Sequence, residues 1–255
     1  MNVLTWNVNG LRAAIRKGIA GWIDRLSPDV VMLQEIRCRP DQLDEATFPF
    51  KGWYAAWNPA ERPGYAGTAV FSRLPLQVLH TGIDSQSDPD GRVLRVDVGG
   101  VDLVSTYLPS GSSSEAAAAK KAAFAADFRP WIDSLKRRRR PVLIGGDLNI
   151  ARDKRDIFHW KSNQNNSGFL PHERAWMNDI VSSGWHDLVR QHAGDVDGPY
   201  TWWSNRGQAR SLDRGWRIDY MLANAKAAQS AEAPQVHRAA GLAVSDHAPI
   251  TVNIS

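Results

Sequence analysis

Polar side chains that could do acid–base or metal chemistry follow several apolar runs of this sequence, at the points where the runs end. The run "LTWNVNG" ends with Asn7 and Asn9, and "VVMLQE" ends with Glu35. Later runs end with the other members of the set, which are Tyr107, Asp147, Asn149, Asp219, Asp246 and His247. A single Asn or Asp after a strand is usually a turn former. Because ligands of α/β proteins gather beyond strand ends, the set as a whole predicts one cleft.

The oxygen-rich character of this set favours a hard cation such as Mg²⁺, which binds through one or two carboxylates together with water and substrate phosphate. Glu35 is the strongest single candidate ligand, and Asn7, Asn9 and Asp246 are candidate supports. No cysteine cluster competes for the site, because the sequence contains one cysteine. The predicted cofactor is Mg²⁺, for which Mn²⁺ could substitute.

A carboxylate–imidazole pair is predicted from the position of Asp219, which lies inside the apolar stretch "RIDYML". A carboxylate buried there is costly unless it is paired, and His247 is its natural partner. Such a carboxylate fixes the tautomer of the imidazole and leaves the second ring nitrogen to act on substrate. With Tyr107, Asp147 and Asn149, the pair has the side-chain types that in-line hydrolysis of a phosphodiester requires. No serine nucleophile is indicated, because the sequence lacks a G-x-S-x-G turn.

Strands and helices must position these side chains. Helical spacing of apolar residues predicts one helix over residues 11–26 and another from Ala116 to about Arg137. Short apolar runs predict strands at residues 3–8, 29–34, 53–57, 68–72, 76–81, 92–98, 101–107, 142–148, 218–222 and 250–254. So many strands with few long helices do not fit a single βαβ sheet. The prediction is a four-layered α/β sandwich, in which two mixed β-sheets pack face to face and helices flank them.

The composition fits a single domain over residues 1–255, since 43% of the residues are hydrophobic. A net charge of +4 is compatible with a polyanionic partner. No run approaches the roughly 18 consecutive apolar residues of a membrane helix, and the N-terminus lacks the pattern of a signal peptide. The lone cysteine, Cys38, suits a reducing compartment. The expected location is the cytoplasm, with nucleoid association in a bacterium and no membrane contact.

Ten stretches in order carry a family resemblance: "TWNVNGLRA", "LQEIRC", "GYAGTAVFSR", "DGRVLRVD", "STYLPSGS", "IGGDLNIA", "NQNNSGFLPHER", "YTWWSNRGQAR", "GWRIDYML" and "SDHAPI". Together they resemble the exonuclease III family of apurinic/apyrimidinic endonucleases, within the endonuclease/exonuclease/phosphatase superfamily. The resemblance implies a monomeric, Mg²⁺-dependent DNA repair nuclease. Its expected reaction is hydrolysis of the phosphodiester 5′ to an abasic site in double-stranded DNA, accompanied in some relatives by 3′ to 5′ exonuclease or 3′-phosphodiesterase activity.

The resemblance also implies roles for the metal-binding candidates. Glu35 looks like the principal Mg²⁺ ligand, with Asn7 and Asn9 beside it, and Asp246 is similar to the family's second carboxylate near the metal. Many relatives carry Asp where Asn9 stands. A water-mediated or weaker contact with the metal is therefore expected from this neutral amide.

Similar roles are implied for the catalytic candidates. Asp147 is similar to the family's proton-transfer aspartate, and Asn149 to the asparagine that steadies the transition state. Tyr107 resembles the tyrosine near the scissile phosphate, and Asp219 looks like the residue that orients His247. A second or migrating ion could bind to Asp147, Asn149 and His247. Either His247 or Asp147 could deprotonate the attacking water, and the sequence leaves both roles open.

For substrate recognition, Trp202, Trp216 and Ile218 are similar to the walls of a pocket that receives a flipped-out, baseless deoxyribose and excludes an intact base. Adjacent residues of an extended segment face opposite sides, so at most one of Trp202 and Trp203 lines the pocket. The resemblance implies that this residue is Trp202. The remaining DNA-contact candidates are Ser110, Asn163 and Asn166 at phosphates, Arg206 in a groove and Arg73 beside the cleft.

Three other functions share parts of this pattern. A protein of the same family could act predominantly as a 3′–5′ exodeoxyribonuclease. A phosphoinositide-type phosphatase of the superfamily would use the same metal and His/Asp chemistry, but it would have no use for the "NQNNSGFLP" and "YTWWSNRGQ" loops. A DNA-binding protein without turnover would not need the complete catalytic set.

Overall fold

Two six-stranded mixed sheets form the centre of the protein, as seen in a computed structural model that describes residues 1–83 and 87–255. The first sheet contains, in spatial order, β11 (Gln235–Val236), β12 (Ile250–Asn253), β1 (Asn2–Asn7), β2 (Val30–Gln34), β4 (Thr68–Ser72) and β3 (Tyr54–Asn58). The second contains β5 (Leu76–Thr81), β6 (Val93–Val98), β7 (Val101–Tyr107), β8 (Val142–Asp147), β10 (Asp219–Ala223) and β9 (His186–Asp187). Each sheet includes one parallel pair, β1 with β2 and β7 with β8.

Helices flank both sheets. In the described residues they are α1 (Leu11–Arg16), α2 (Ile19–Leu26), α3 (Glu115–Lys136), α4 (Pro171–Ser182), α5 (Leu188–Ala193), α6 (Ala225–Ser230) and α7 (Arg238–Val244). Leu11, Ile19 and Val244 pack from α1, α2 and α7 onto the first sheet. Phe128 of α3 and Met177 of α4 pack onto the second. A further apolar cluster fills the space between the sheets. The predicted four-layered sandwich is confirmed.

The β2 sequence "VVMLQ" shows why polar groups collect at strand ends. Every residue of this strand is buried. Val30 and Met32 pack between the two sheets, whereas Val31 and Leu33 pack under the outer helices. A strand that is buried on both faces is nearly continuously apolar, and the one polar side chain of β2, Gln34, donates hydrogen bonds to the hydroxyls of Thr5 and Ser105. Polar side chains can then reach solvent only beyond its end.

The register of the strands brings these ends to one edge of the sandwich. Asn7 pairs with Gln34 in the parallel pair β1–β2, and Tyr107 pairs with Asp147 in the parallel pair β7–β8. Asp219 begins β10 opposite Asp147, because β10 runs antiparallel to β8. The predicted site residues therefore start from neighbouring backbone positions.

The helix predicted over residues 11–26 is divided in two, which corrects that prediction. Gly18 lies between α1 and α2 with a φ of 86°, in the left-handed region that interrupts a helix. The predicted helix α3 is confirmed, and the Ser114 hydroxyl accepts a hydrogen bond from the backbone N–H of Ala117 at 3.1 Å. Within residues 1–83 and 87–255, no helix has the length and apolar character needed to cross a bilayer.

Candidate active site

A cleft with a volume of about 1070 Å³ opens at the edge where the strand ends meet. Most of the predicted site residues line it, namely Asn9, Glu35, Tyr107, Ser110, Asp147, Asn149, Asn163, Asn166, Trp202, Arg206, Trp216, Ile218, Asp246 and His247. Asn7 and Asp219 are buried directly behind this surface, in contact with lining residues. The structure thus brings together side chains from both sheets and from the loops that follow them.

His247 and Asp219 form a buried pair at the base of the cleft. Nδ1 of His247 hydrogen-bonds to Asp219, with distances of 3.0 Å to Oδ2 and 3.2 Å to Oδ1. The second ring nitrogen, Nε2, lies 3.8 Å from Oδ2 of Asp147. Burial alone lowers the pKa of His247, but the negative charges of Asp219 and Asp147 outweigh it and raise the pKa. The imidazole is therefore held in one orientation and is readily protonated.

Asp147 lies between this pair and the metal-binding candidates. Its Oδ2 accepts a hydrogen bond from Nδ2 of Asn7 at 3.0 Å, and its Oδ1 accepts one from the backbone N–H of Asn149 at 2.8 Å. Burial raises the pKa of Asp147, and the opposing charge of His247 reduces this effect without cancelling it. The ligand atoms of Asp147, Asp219 and His247 all lie within 4.8 Å of one another. This spacing allows the three groups to share a proton or to ligate a cation.

The carboxylates of Glu35 and Asp246 are the oxygen donors on the other side of Asn7. Nδ2 of Asn7 donates to Oε2 of Glu35 at 3.1 Å, so one amide connects Glu35 with Asp147. Nδ2 of Asn9 donates to Oδ1 of Asp246 at 2.8 Å. Both amides therefore orient carboxylates, and Oδ1 of Asn7 accepts from the backbone N–H of Asn9. Glu35 and Asp246 remain as the groups best suited to contact a cation.

Arg37 is a site residue that the sequence patterns did not predict. Its Nε donates to Oε1 of Glu35 at 3.0 Å, and its terminal nitrogen makes a second bond to the same oxygen. The signal was weak, because an arginine three residues after a strand end has no special meaning by itself. This contact brings a positive charge to the metal-binding candidate.

Three candidate residues have left-handed backbone conformations, with φ values of 46° at Asn9, 56° at Glu35 and 52° at Asn149. Asparagine adopts this region more easily than other side chains do, whereas glutamate rarely adopts it. Such conformations cost about 1–3 kcal/mol each and persist where surrounding contacts fix them. The turns after β1, β2 and β8 are therefore built to present these side chains.

An apolar wall stands beside the charged groups. The rings of Trp202 and Trp216 meet edge to face with centroids 6.0 Å apart, and Ile218 packs against both. The indole N–H of Trp202 donates to Oδ2 of Asp246 at 3.1 Å, which ties the wall to the metal-binding side. Trp203 is fully buried on the opposite side of the chain. The structure thus puts Trp202 in the cleft and Trp203 in the interior.

Tyr107 presents its phenol from the end of β7. Burial raises the pKa of Tyr107, and the charges of Glu35 and Asp147 raise it further. The guanidinium of Arg92 lies 4.9 Å from the ring centroid and donates to the Tyr107 carbonyl at 3.1 Å. The phenol therefore stays protonated at neutral pH and can donate a hydrogen bond into the cleft.

The DNA-contact candidates divide into two groups. Ser110, Asn163, Asn166 and Arg206 lie on the rim of the cleft. Arg73 does not, because β4 runs antiparallel to β2 and carries Arg73 to the opposite end of the sheet. There its Nε donates to the Pro28 carbonyl at 3.1 Å, and its guanidinium stacks over Trp53. The expectation that Arg73 lies beside the cleft is therefore corrected.

Comparisons with known proteins agree with this geometry. The family model described as "Endonuclease/Exonuclease/phosphatase family" matches residues 4–247. An exodeoxyribonuclease of Bacillus subtilis is 32% identical over the whole of both chains. The DNA repair nuclease APEX1 of Danio rerio is 31% identical, over 99% of this chain and 81% of that protein. The structure of the 3′ phosphatase NExo from Neisseria, bound to a product DNA hairpin, matches with a TM-score of 0.89 and 27% identity, covering 100% of this chain and 99% of that one.

Proposed function

We propose that this chain, which belongs to the endonuclease/exonuclease/phosphatase family, is a Mg²⁺-dependent DNA repair nuclease that cleaves the phosphodiester 5′ to abasic sites in double-stranded DNA. Its membership and its relatives make it a hydrolase of the apurinic/apyrimidinic endonuclease and exodeoxyribonuclease type. The products of the proposed reaction are a 3′-hydroxyl and a 5′-deoxyribose phosphate. The abasic specificity, the metal and the monomeric state are the parts that we propose.

The observation that carries the abasic specificity is the apolar wall next to the catalytic pair. The ring of Trp202 lies 6.5 Å from the ring of His247, and Trp216 and Ile218 complete the wall. A deoxyribose without a base is small enough to enter a recess of this kind, whereas a base would have to displace an indole. Extrusion of an unpaired site also costs less than extrusion of a paired nucleotide. Selection by exclusion therefore fits the composition of the wall.

The donor set fits Mg²⁺ better than a softer metal. Glu35 and Asp246 offer carboxylate oxygens at the cleft, and no cysteine lines it among the described residues. These two carboxylates would hold the ion, while Asn7 and Asn9 orient them through the bonds described above. When bound there, Mg²⁺ would neutralise charge on the phosphate oxygens.

The remaining groups fit the proton transfers of an in-line hydrolysis. Asp219 orients His247 so that Nε2 faces Asp147 across 3.8 Å. His247 can take the proton of the attacking water from this position, or Asp147 can take it while the pair of His247 and Asp219 stabilises the charge of the phosphate. The phenol of Tyr107 is a further donor for phosphate oxygens. The side-chain amide of Asn149 donates to the Leu108 carbonyl at 2.8 Å and to Asp147 at 3.3 Å, and it would reach a phosphate oxygen by exchanging the weaker of these bonds.

The decisive experiment is incision of a labelled duplex that carries one stable abasic analogue, with Mg²⁺ and with chelator. The intact duplex and the same duplex with a recessed 3′ end serve as parallel substrates. We expect Mg²⁺-dependent cutting at the abasic position, which His247→Asn removes. His192→Asn changes an exposed histidine on α5, outside the cleft lining, and should cut like the wild type. Cutting that persists in chelator, or no cutting at the analogue, would refute the proposal.

A second candidate activity is removal of groups or nucleotides from 3′ ends. The Neisseria protein is a 3′ phosphatase bound to a product DNA hairpin, and the match of its fold to this chain favours this activity. Progressive shortening of the recessed 3′ end, with little cutting at the abasic analogue, would identify it. Light scattering on the same protein samples would test whether the protein, which we propose to be a single domain over residues 1–255, is a monomer.

A further inference from the structure

A buried ion pair lies behind the cleft, between the two helices that cover the second sheet. Nζ of Lys121, on α3, lies 2.5 Å from Oε1 of Glu173, on α4. The residues are 4% and 6% exposed. Lysine and glutamate are rarely buried to this extent unless they are paired. The pair lies away from the residues expected to contact a ligand, so its role has to be inferred from its other contacts.

Lys121 also contacts the backbone of a candidate catalytic residue. Nζ donates a second hydrogen bond to the carbonyl oxygen of Asn149 at 2.9 Å. Asn149 has a φ of 52°, so its backbone is in the left-handed region and depends on contacts that fix it. The backbone N–H of the same residue donates to Asp147 at 2.8 Å. A shift of the Asn149 peptide would therefore move both its own amide and a bond to Asp147.

Glu173 contacts the loop on the other side of Asn149. Its Oε2 accepts hydrogen bonds from the backbone N–H groups of Gly168 at 2.7 Å and Leu170 at 3.0 Å. Gly168 and Leu170 both line the cleft. A Cβ atom at Gly168 would lie 3.2 Å from the Asn149 carbonyl oxygen and 3.0 Å from the Trp216 ring. The loop thus fits closely against the catalytic turn and the apolar wall.

The loop before α3 meets the same lysine. A Cβ atom at Gly111 would lie 3.3 Å from Cδ of Lys121 and 2.7 Å from Oγ of Ser167. Three segments of the cleft therefore meet at one ion pair: residues 110–114, residues 147–149 and residues 166–170. They come from distant parts of the sequence, and the pair contacts each of them without itself lining the cleft.

We propose that Lys121 and Glu173 are positioning residues for the catalytic site. The pair fixes the Asn149 carbonyl relative to the loop at Gly168, and it thereby holds the amide of Asn149 and the carboxylate of Asp147 in the arrangement needed for hydrolysis. This inference rests on the proposed function in one respect, namely that Asn149 and Asp147 act on the scissile phosphate.

A mutant cycle between Lys121 and Asn149 tests the proposal. Lys121→Met retains most of the side-chain volume and removes the ammonium group. We expect it to lower the single-turnover rate of incision by about 10–100-fold, with the Kd for an uncleaved abasic duplex changed by less than about 3-fold. In the Asn149→Ala background the same change should cost clearly less than in the wild type, because one of the two groups that Lys121 positions is gone and only the backbone bond to Asp147 remains to be disturbed.

Loss of stability is separated from loss of positioning by a second variant. Lys121→Met combined with Glu173→Gln removes both charges of the pair, while the glutamine oxygen can still accept from the backbone N–H groups of Gly168 and Leu170, so most of the stability should return. If positioning is the function, the melting temperature recovers and the rate stays low, because nothing donates to the Asn149 carbonyl. Arg95→Met is the matched control. It breaks the buried 2.5 Å pair of Arg95 with Asp102, on β6 and β7 and outside the cleft lining, and should lower stability while the rate stays at the wild-type value.

Three outcomes overturn the inference: Lys121→Met incises at the wild-type rate, its loss is additive with that of Asn149→Ala, or the double variant restores the rate together with stability. Failure of the proposed function looks different, because the wild type itself would then not cut the abasic duplex. In that event the same cycle is measured on degradation of the recessed 3′ end, and the same criteria decide. A wild type without either activity would overturn both.

Discussion

Arg217 and Asp219 lie two residues apart in the sequence, yet each belongs to a different cluster of buried charge. Arg217 donates to Asp156 at 2.8 and 2.9 Å and to Asp187 at 3.0 and 2.8 Å, and Arg190 donates to Asp156 as well. Two arginines thus face two aspartates in this first group, which we call the paired cluster. Asp219 belongs to the cleft cluster, consisting of Asp147, Asp219 and His247, in which carboxylates outnumber bases.

The pKa values of one carboxylate from each cluster, Asp156 and Asp147, move in opposite directions. Burial raises the pKa of Asp156, but the charges of Arg217 and Arg190 outweigh it and hold the pKa below its usual range. Burial also raises the pKa of Asp147, and there the charge of His247 is not enough to reverse the effect. In the paired cluster the positive and negative charges balance, and the cluster fixes the backbone next to the apolar wall. In the cleft cluster the negative charges are in excess, so it keeps a capacity to take up a proton or a cation, which is what phosphodiester hydrolysis needs.

The largest expected effect is on catalysis by the cleft cluster. Asp147→Asn should lower the single-turnover rate of abasic incision by about 10²–10⁴-fold, the range expected for loss of a proton-transfer group. Its free energy of unfolding should be unchanged or higher, because a buried carboxylate with a raised pKa is removed. Incision kinetics and urea unfolding measure the two quantities. A variant that loses stability along with activity would show that Asp147 is a structural carboxylate like Asp156.

The opposite pattern is expected in the paired cluster. Asp156→Asn leaves Arg217 with one carboxylate in a fully buried position, and it should lower the free energy of unfolding by about 3–5 kcal/mol. Urea unfolding gives this value. Asp133→Asn is the control, because Asp133 is a partly exposed acid paired with Arg129 on α3 and should have a much smaller effect. Equal losses in the two variants would mean that the paired cluster adds nothing beyond ordinary helix-surface pairing.

The contrast between the clusters also shows what the sequence could predict. Asn7, Glu35, Tyr107 and Asp147 were found because a strand buried on both faces puts its polar side chains at its end. Asp219 was found because an unpaired carboxylate inside an apolar strand is costly. The same argument says that every buried charge needs a partner. It does not identify the partner, because a partner that is distant in the sequence leaves no pattern near the charge.

The features that were not predicted depend on packing between distant segments. Lys121 meets Glu173 only because α3 and α4 lie side by side on the second sheet. Arg73 was expected beside the cleft, and the antiparallel direction of β4 puts it at the other end. The break at Gly18 interrupts a stripe of apolar residues that continues at helical spacing on both sides. Strands of two residues, such as β9, are too short to show an alternation.

Metal binding should change the free energy of unfolding by an intermediate amount, and it should distinguish the cleft side from the paired cluster. Mg²⁺ at about 100 times its Kd should raise the free energy of unfolding by about 2.7 kcal/mol, because we expect it to bind only the folded state, through the proposed ligands Glu35 and Asp246. Thermal unfolding with Mg²⁺ and with chelator measures this effect. Glu35→Gln should remove most of it, whereas Asp156→Asn should retain it on a lower baseline. A shift of equal size in Glu35→Gln would place the cation elsewhere.

The smallest effect is a difference in pH dependence, measured by urea unfolding in chelator. Asp156 has a lowered folded pKa, so the stability it contributes is present above its unfolded pKa of about 3.9 and is lost as the pH falls through the folded value. Asp147 has a raised folded pKa, so the folded state binds more protons than the unfolded state between about 3.9 and that raised value, and stability falls as the pH increases through this window.

Relative to the wild type, Asp147→Asn should therefore gain stability as the pH rises, and Asp156→Asn should come closer to the wild type as the pH falls. One group changes the slope by at most about 1.4 kcal/mol per pH unit. Slopes of the same sign in the two variants would mean that the clusters do not differ in charge balance, and that the geometry of the cleft alone distinguishes the catalytic aspartate from the structural one.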